Sequence, residues 1–218
     1  MSGSLPAAVH SLLREAAEWR LMGLLFECPS DDWRRQIAIN AAEAADPDLR
    51  AAASHAVEEG DEGTYHSIFG PGGPAPAREA TWHESMELGY LMSELSICYQ
   101  AFAYTPTAAE PPDHVAVEAG FVAYLKLKEA FATAEGEDAK ANVARDAAAT
   151  FIRDRMASMG EPLGALLADS GVAYLALAGK ALARRTGPKP QPLRADKSHF
   201  PILEPDSTFD CAEDPLPV

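Results

Sequence analysis

Residues 110–131 read EPPDHVAVEAGFVAYLKLKEAF, and this stretch decides how the chain folds. Two prolines open it; they cannot lie inside a helix but suit its first turn. Asp113 follows at a point where unpaired N–H groups and the helix dipole favour a carboxylate. His114 precedes Glu118 by one helical turn, within side-chain reach. We therefore predict a helix over about 112–134 whose start carries two acids and an imidazole.

The same helix carries apolar residues at helical spacing, in the two series Val117, Phe121, Leu125 and Tyr124, Leu127, Phe131. Elsewhere alanine-rich segments with the same period dominate, and no alternating β-branched run predicts a strand. We expect further helices over about 5–27, 30–41, 47–60, 65–69, 83–103, 137–158 and 162–185, with a Gly/Pro loop at 70–80. The predicted fold class is all-α, a single bundle-like helical domain of about seven to ten helices.

The composition changes after Thr186. Seven of the 17 prolines lie beyond this residue, at spacings that leave no room for a helix of useful length. We predict a helical domain over 1–186 and a Pro-rich extended C-terminal tail over 187–218. Phe200 to Leu203 would give that tail an apolar segment with which to lie along the helical body.

Charge and composition exclude several classes of protein. The net charge of −15 disfavours nucleic acid and anionic membranes as partners and favours a basic one. No run of about 18 apolar residues predicts membrane insertion. The N-terminus lacks the basic and apolar regions of a signal peptide, and the three cysteines are far apart, as in a reducing cytoplasm. The composition indicates a cytoplasmic globular protein.

Enzyme and metal motifs are absent from the sequence. It contains no Walker loop, no dinucleotide fingerprint, no nucleophile elbow and no H-E-x-x-H. Its six histidines do not stand beside cysteines at metal-ligand spacing. The glycine-rich stretch at 70–74 lacks the Lys-Ser/Thr pair that grips a nucleotide phosphate. We therefore expect no catalytic residues, no metal ligands and no cofactor.

The loop at 70–80 and the residues after it suit peptide recognition. Glu79 ends the loop, and Trp82 and Glu84 follow closely. An aromatic side chain beside acids at a loop–helix junction fits a basic, partly apolar peptide. The aromatic residues at 99, 102 and 104 favour burial instead, because aromatic spacing on a helix usually means core packing.

Three segments, in this order, resemble those of a known family. They are YHSIFGPGGP at 65–74, the helix that carries Tyr99 and Phe102, and the E-x-P-D-H sequence at 110–114. Together they resemble the TorD/DmsD/NarJ family of cytoplasmic chaperones of molybdoenzymes, and among its branches that of the type II dimethyl-sulfoxide-reductase-like enzymes. The resemblance covers about 5–185.

The resemblance implies a dedicated chaperone rather than an enzyme. Such a protein binds the apo catalytic subunit of a molybdenum oxidoreductase, often at its twin-arginine signal peptide. It assists insertion of the molybdenum cofactor, which the client carries, before assembly or export. It would be a monomer or a helix-swapped dimer, with binding of GTP proposed for some relatives. The client-binding residues implied here are Tyr65, Phe69, Gly70, Pro71, Pro74, Glu79, Trp82, Glu84, Tyr99, Phe102, Glu110, Pro112, Asp113, His114, Glu118 and Phe121.

The chain also departs from its relatives. Ala77, Arg78 and Glu79 stand where that branch commonly has an aromatic residue and an acid after the loop prolines, and Gly120 stands where a second acid often precedes the phenylalanine. Two other functions remain open at this point. One is an acidic helical adaptor subunit of a redox complex. The other is a nucleotide hydrolase that uses Asp113, His114 and Glu118 as an acid–base group.

Overall fold

The computed structural model describes residues 5–83 and 87–188. These residues form nine α-helices, which confirms the all-α fold and the predicted number of helices. They are α1 (Ala7–Leu25), α2 (Trp33–Glu43), α3 (Pro47–Glu59), α4 (Glu62–Phe69), α5 (Leu88–Ala101), α6 (Val115–Ala134), α7 (Asp138–Phe151), α8 (Ala157–Ala168) and α9 (Ala173–Thr186). A 3₁₀ turn (Glu79–Trp82) precedes α5, and a π turn (Ile152–Met156) joins α7 to α8. Glu84 and most of the predicted tail lie outside the described residues.

Helices α1 and α6 form the centre of the fold and run antiparallel. Gly23 of α1 faces the backbone of α6 so closely that a Cβ atom there would lie 3.0 Å from the carbonyl oxygen of Ala116. At the other end of the pair, Lys126 of α6 contacts Glu15 of α1 at 3.3 Å. The small residues let the two backbones approach, so the start of α6 is held firmly against the end of α1.

Helices α8 and α9 form a second close pair beside α1. A Cβ atom on Gly164 would lie 2.7 Å from the carbonyl oxygen of Gly179, so only glycine fits at this crossing. Helix α9 also packs on α3, and α7 packs on α6. The core is therefore one continuous layer of buried residues around α1 and α6.

The predicted boundaries of the helices around residues 83–88 and 159–172 were wrong. The predicted break near 159–161 does not exist, because α8 continues across Pro162 with Leu163 and Leu167 fully buried on its inner face. Burial of that face compensates for the hydrogen bond that proline cannot make. The real break lies at 169–172, where Gly171 adopts a φ of +75°. The helix predicted from residue 83 begins at Leu88 instead.

Two of the three residues in the second apolar series of α6 stay outside the core, while Tyr124 packs against its edge. Leu127 is 49% exposed and Phe131 is 67% exposed, although both follow the helical period. The period locates apolar faces, but the packing of α1 and α7 on α6 leaves Leu127 and Phe131 largely uncovered. Within the described residues no helix is both long enough and apolar enough to cross a membrane.

Candidate functional site

The loop at 70–78 and the segment before α6 pair through their backbones. Glu79 N–H donates to the carbonyl oxygen of Asp113 at 2.7 Å, and Val115 N–H donates to that of Ala77 at 2.9 Å. These two bonds join the loop motif to the E-x-P-D-H motif across more than thirty residues of sequence. The predicted motifs therefore form a single structural unit.

Asp113 secures this unit rather than the helix that follows it. Its carboxylate is fully buried and accepts from Arg78 Nε at 2.9 Å, with Arg78 Nη2 at 2.8 Å, and from Ala80 N–H at 3.4 Å. Asp113, Pro111 and Pro112 were expected in the first turn of α6. This expectation was wrong, because α6 begins at Val115. Arg78, which sequence reasoning treated as a departure from the family, is thus the main partner of Asp113.

His114 is the residue that caps α6. Its Nδ1 accepts from Ala116 N–H at 3.2 Å, so the remaining proton of the neutral ring sits on Nε2. Burial lowers the pKa of His114 to about 4, opposed by the charge of Asp113. The ring also lies edge-on to Phe69 at 6.3 Å between centroids. The predicted contact with Glu118 does not form through the side chains.

Glu118 faces Glu79 in a buried carboxyl pair. Burial, followed by the negative charge of Glu79 and then of Asp113, raises the pKa of Glu118 well above its usual value. The protonated form of Glu118 is therefore favoured over the charged form. Within the described ranges, no N–H or hydroxyl group donates to either oxygen of Glu118. The Glu79 carboxylate also meets His83 Nε2 at 2.9 Å and Arg155 Nη1 at 3.5 Å.

Glu110 holds a different part of the site. Its Oε1 accepts from Cys28 N–H at 2.7 Å and lies 3.4 Å from the hydroxyl oxygen of Tyr65, a donor. Tyr65 packs on Phe69 with 5.2 Å between ring centroids, and Phe69 packs on Phe26 at 6.2 Å. Glu110 therefore links the loop after α1 to α4. Sequence reasoning missed Cys28, since nothing near it in sequence suggests a partner 82 residues away.

The aromatic residues of α5 and α6 connect this unit to the helices behind it. Tyr99 donates its hydroxyl to the carbonyl oxygen of Pro112 at 2.8 Å. Its ring lies 4.8 Å from that of Phe121, which in turn lies 4.9 Å from Phe151. Tyr99 and Phe121 are both buried. A substitution at the start of α6 would therefore also alter the packing of α5 and α7.

A steric constraint explains why glycine occupies position 120, where relatives often carry an acid. A Cβ atom there would lie 2.7 Å from the hydroxyl oxygen of Tyr104. That hydroxyl is directed at the carbonyl oxygen of Val117, 3.4 Å away. Tyr104 thus occupies the space that a side chain at 120 would need, and the two residues fit each other.

Burial divides the predicted client-binding residues into three groups. Seven are buried: Tyr65, Glu79, Tyr99, Asp113, His114, Glu118 and Phe121. Five are half-buried: Phe69, Gly70, Trp82, Phe102 and Glu110. Three are exposed: Pro71, Pro74 and Pro112. The acids and the histidine of the motif are held by internal partners, so an acid–base group of Asp113, His114 and Glu118 open to a nucleotide does not exist in this conformation.

Two surface grooves lie along helices α6 and α7 and along helices α5 and α7. The α6–α7 groove has a volume of about 760 Å³ and is lined by Phe102, Tyr124, Leu127, Lys128, Phe131, Glu137, Lys140 and Val143, among others. The α5–α7 groove has a volume of about 480 Å³ and is lined by Glu94, Cys98, Phe102, Phe121, Thr150, Phe151, Asp154 and Arg155, among others. Phe102 lines both. The first groove is mainly apolar, and the second carries acids at its far end.

Comparison with known proteins assigns the family. The model of the family described as nitrate reductase delta subunit matches residues 38–163, more than half of the chain. The match includes the loop at 70–78, the aromatic residues of α5 and the start of α6. Searches among curated proteins and among solved structures found no match. The chain therefore belongs to the nitrate reductase delta subunit family, whose members are molybdoenzyme maturation chaperones and not enzymes.

Proposed function

We propose that this chaperone binds the N-terminal signal region of an apo molybdoenzyme catalytic subunit along the two joined grooves. It holds that subunit in the cytoplasm while the molybdenum cofactor is inserted, and it needs no cofactor of its own. The observation that carries the proposal is the exposed apolar face of α6 and α7. Leu127, Phe131 and Val143 are 49%, 67% and 60% exposed, and they line one groove. Contiguous exposed apolar side chains of this kind mark protein-binding surfaces.

The chemistry of the two grooves matches the chemistry of a twin-arginine peptide. Such a peptide has a basic start and an apolar middle. The apolar segment fits the α6–α7 groove. An arginine fits the exposed carboxylate of Asp154 in the α5–α7 groove, where Glu94 already pairs with Arg155. Asp154 pairs with the neighbouring Arg153 at 2.6 Å, but both side chains are more than half exposed. An exposed pair of this kind contributes little, so an incoming guanidinium can replace Arg153.

Most of the buried motif residues lie behind the grooves, and Phe121 also lines one of them. Tyr99 ties α5 to Pro112, and Phe121 packs between Tyr99 and Phe151 while its edge reaches the α5–α7 groove. We infer that Glu79, Asp113, His114 and Glu118 position these aromatic residues. They would then affect client handling only through the shape of the groove.

Calorimetry with a peptide from the client's signal region tests the proposal. Phe131→Ser should abolish most of the binding, because it removes the most exposed ring from the α6–α7 groove. Ile39→Ser is the matched control, since Ile39 is 55% exposed on α2, away from both grooves. Equal binding by the two variants would place the client elsewhere.

The adaptor function remains an alternative, and purification from the native cell separates it from the chaperone. A chaperone should co-purify with apo catalytic subunit and leave the mature enzyme. An adaptor would stay with the mature enzyme at fixed stoichiometry. The oligomeric state, monomer or helix-swapped dimer, is read from the same preparation by its size in solution.

A further inference from the structure

Three side chains of metal-binding type converge on the face of the molecule that lies beyond Glu110. Cys28 follows α1, while Glu62 and His66 occupy the first and fifth positions of α4. One ligand atom from each lies within 4.8 Å of the other two. They stand apart from both grooves, and neither the loop pairing nor the cap of α6 uses them. We propose that Cys28, Glu62 and His66 form a Zn²⁺ site.

The four-residue spacing of Glu62 and His66 on α4 places two of the proposed ligands side by side. Residues four apart lie on the same face of a helix, one turn above the other. His66 Nε2 and Glu62 Oε1 are already 3.5 Å apart. Ligand atoms on a tetrahedral zinc ion, with bonds of about 2.0–2.3 Å, lie roughly 3.3–3.6 Å from one another. This pair therefore needs no rearrangement to bind one ion together.

The third ligand comes from a loop whose backbone is fixed. Cys28 N–H donates to Glu110 Oε1 at 2.7 Å, and the same oxygen lies 3.4 Å from the hydroxyl of Tyr65, next to His66. Glu110 thus sets the distance between the thiol and the imidazole and acts as a positioning residue. Glu62 and His66 side chains are 72% and 57% exposed, so small rotations can close the remaining gap to Cys28.

The donor set selects the metal by its chemistry. A thiolate, an imidazole and a carboxylate suit a borderline-soft cation, whereas Mg²⁺ and Ca²⁺ prefer oxygen ligands alone. The carboxylate of Glu110, whose Oε1 accepts from Cys28 N–H, adds negative charge beside the site, which favours a cation. Three protein ligands leave one tetrahedral position open for water or for a donor from a bound partner. The site is independent of the proposed client groove.

Metal titration of the full chain, purified with chelator, tests the proposal. Zn²⁺ competed against a chromophoric chelator should bind as one ion per chain. Cys28→Ser and His66→Asn should each weaken that binding more than about tenfold. Co²⁺ should produce a thiolate-to-metal absorption band that disappears in Cys28→Ser. Cys98→Ser and His55→Asn are the matched controls and should bind as the parent chain does.

Two variants keep the test decisive. Glu110→Ala should weaken Zn²⁺ binding by about 10–100-fold without removing a ligand, because it removes the acceptor that holds Cys28 N–H. His66→Asn changes an exposed residue and leaves the fold intact, so it answers the question even if Cys28→Ser folds poorly. Absence of Zn²⁺ binding, or binding unchanged in His66→Asn, would overturn the proposal. Equal loss in Cys98→Ser would also overturn it.

Discussion

The two ends of α6 differ in almost every physical respect. Its start is buried and carries acids, with Asp113 and Glu118 fully shielded from water. Its end is apolar and open, with Leu127 and Phe131 facing the α6–α7 groove. The recognisable motif lies at the buried end, and the surface suited to a partner lies at the end without a motif. Under the proposed function, the motif of this chain forms a rigid support and the exposed end of α6 forms the binding surface.

The largest expected effect compares two phenylalanines of the same helix. Phe121 is 1% exposed and Phe131 is 67% exposed. Phe121→Ala should lower the free energy of unfolding by about 3–5 kcal/mol, because it leaves a cavity among Tyr99 and Phe151. Phe131→Ala should change it by less than about 0.5 kcal/mol. Chemical denaturation measures both, and equal losses would contradict the division of α6 into a buried and an open end.

A smaller effect is expected from Asp113. Asp113→Ala removes the acceptor of Arg78 and Ala80 N–H and should cost about 1–3 kcal/mol of unfolding free energy. Partial exposure of Arg78 limits the loss, because water can solvate the guanidinium. Asp154→Ala, at an exposed acid of the α5–α7 groove, is the control and should be near neutral. If the Asp113→Ala protein is as stable as the parent but fails to mature its client, Asp113 contacts the client directly and does not only support the fold.

The pH dependence of stability tests the buried carboxyl pair. The folded-state pKa of Glu118 lies above its unfolded value of about 4.3, so the folded protein binds more protons between the two. The stability that protonated Glu118 contributes to the folded protein is present below about pH 4.3. It is lost as the pH rises through the folded-state pKa of Glu118. Glu118→Gln should flatten this decline and raise the melting temperature at pH 7–8. Glu135→Gln, at an exposed position of the chain, should leave the curve unchanged.

Protonation of His114 changes the stability of the protein with pH in the opposite direction, and at lower pH. Its pKa falls from 6.5 to about 4 in the folded protein, so the unfolded chain binds the proton more readily. The associated stability is present above pH 6.5 and is lost as pH falls towards 4. His114→Asn, which keeps a capping side chain, should remove this acid-side loss. A melting curve between pH 4 and 6.5 that is identical in the variant and the parent would contradict a buried neutral His114.

The smallest effect belongs to the exposed acid of the groove. Asp154→Asn should weaken binding of an arginine-bearing client peptide by about 0.2–1 kcal/mol, the usual value for an exposed ion pair. The difference should vanish in high salt, because exposed charges are screened within about 8 Å even at physiological ionic strength. Calorimetry at two salt concentrations measures it. A loss that persists in high salt would mean that Asp154 is buried by the peptide.

The residues of α6 show how far sequence reasoning reaches. Its helical period and the family could be predicted, because both depend on residues and spacing within short segments. The pairing of the two motifs could not, because it joins residues more than thirty positions apart. The helix was predicted to begin near residue 112, with Asp113 in its first turn. It begins at Val115 with His114 as its cap, because a periodic pattern does not fix where a helix starts. The partners of Asp113 and Glu118, which are Arg78 and Glu79, lie on a distant loop and follow from packing alone. The tail boundary at 186/187 and the chaperone's branch remain predictions.

The sequence by itself determined an all-α chain, its acidic charge, most of its helices and its membership of a chaperone family. Period, capping residues and composition act locally, and they carry this information without any tertiary contact. Only the tertiary structure decided which polar residues became buried, which apolar face of α6 stayed open, and that Cys28 meets Glu62 and His66. These outcomes depend on which helix covers which face, a competition among contacts between residues that are distant in the chain.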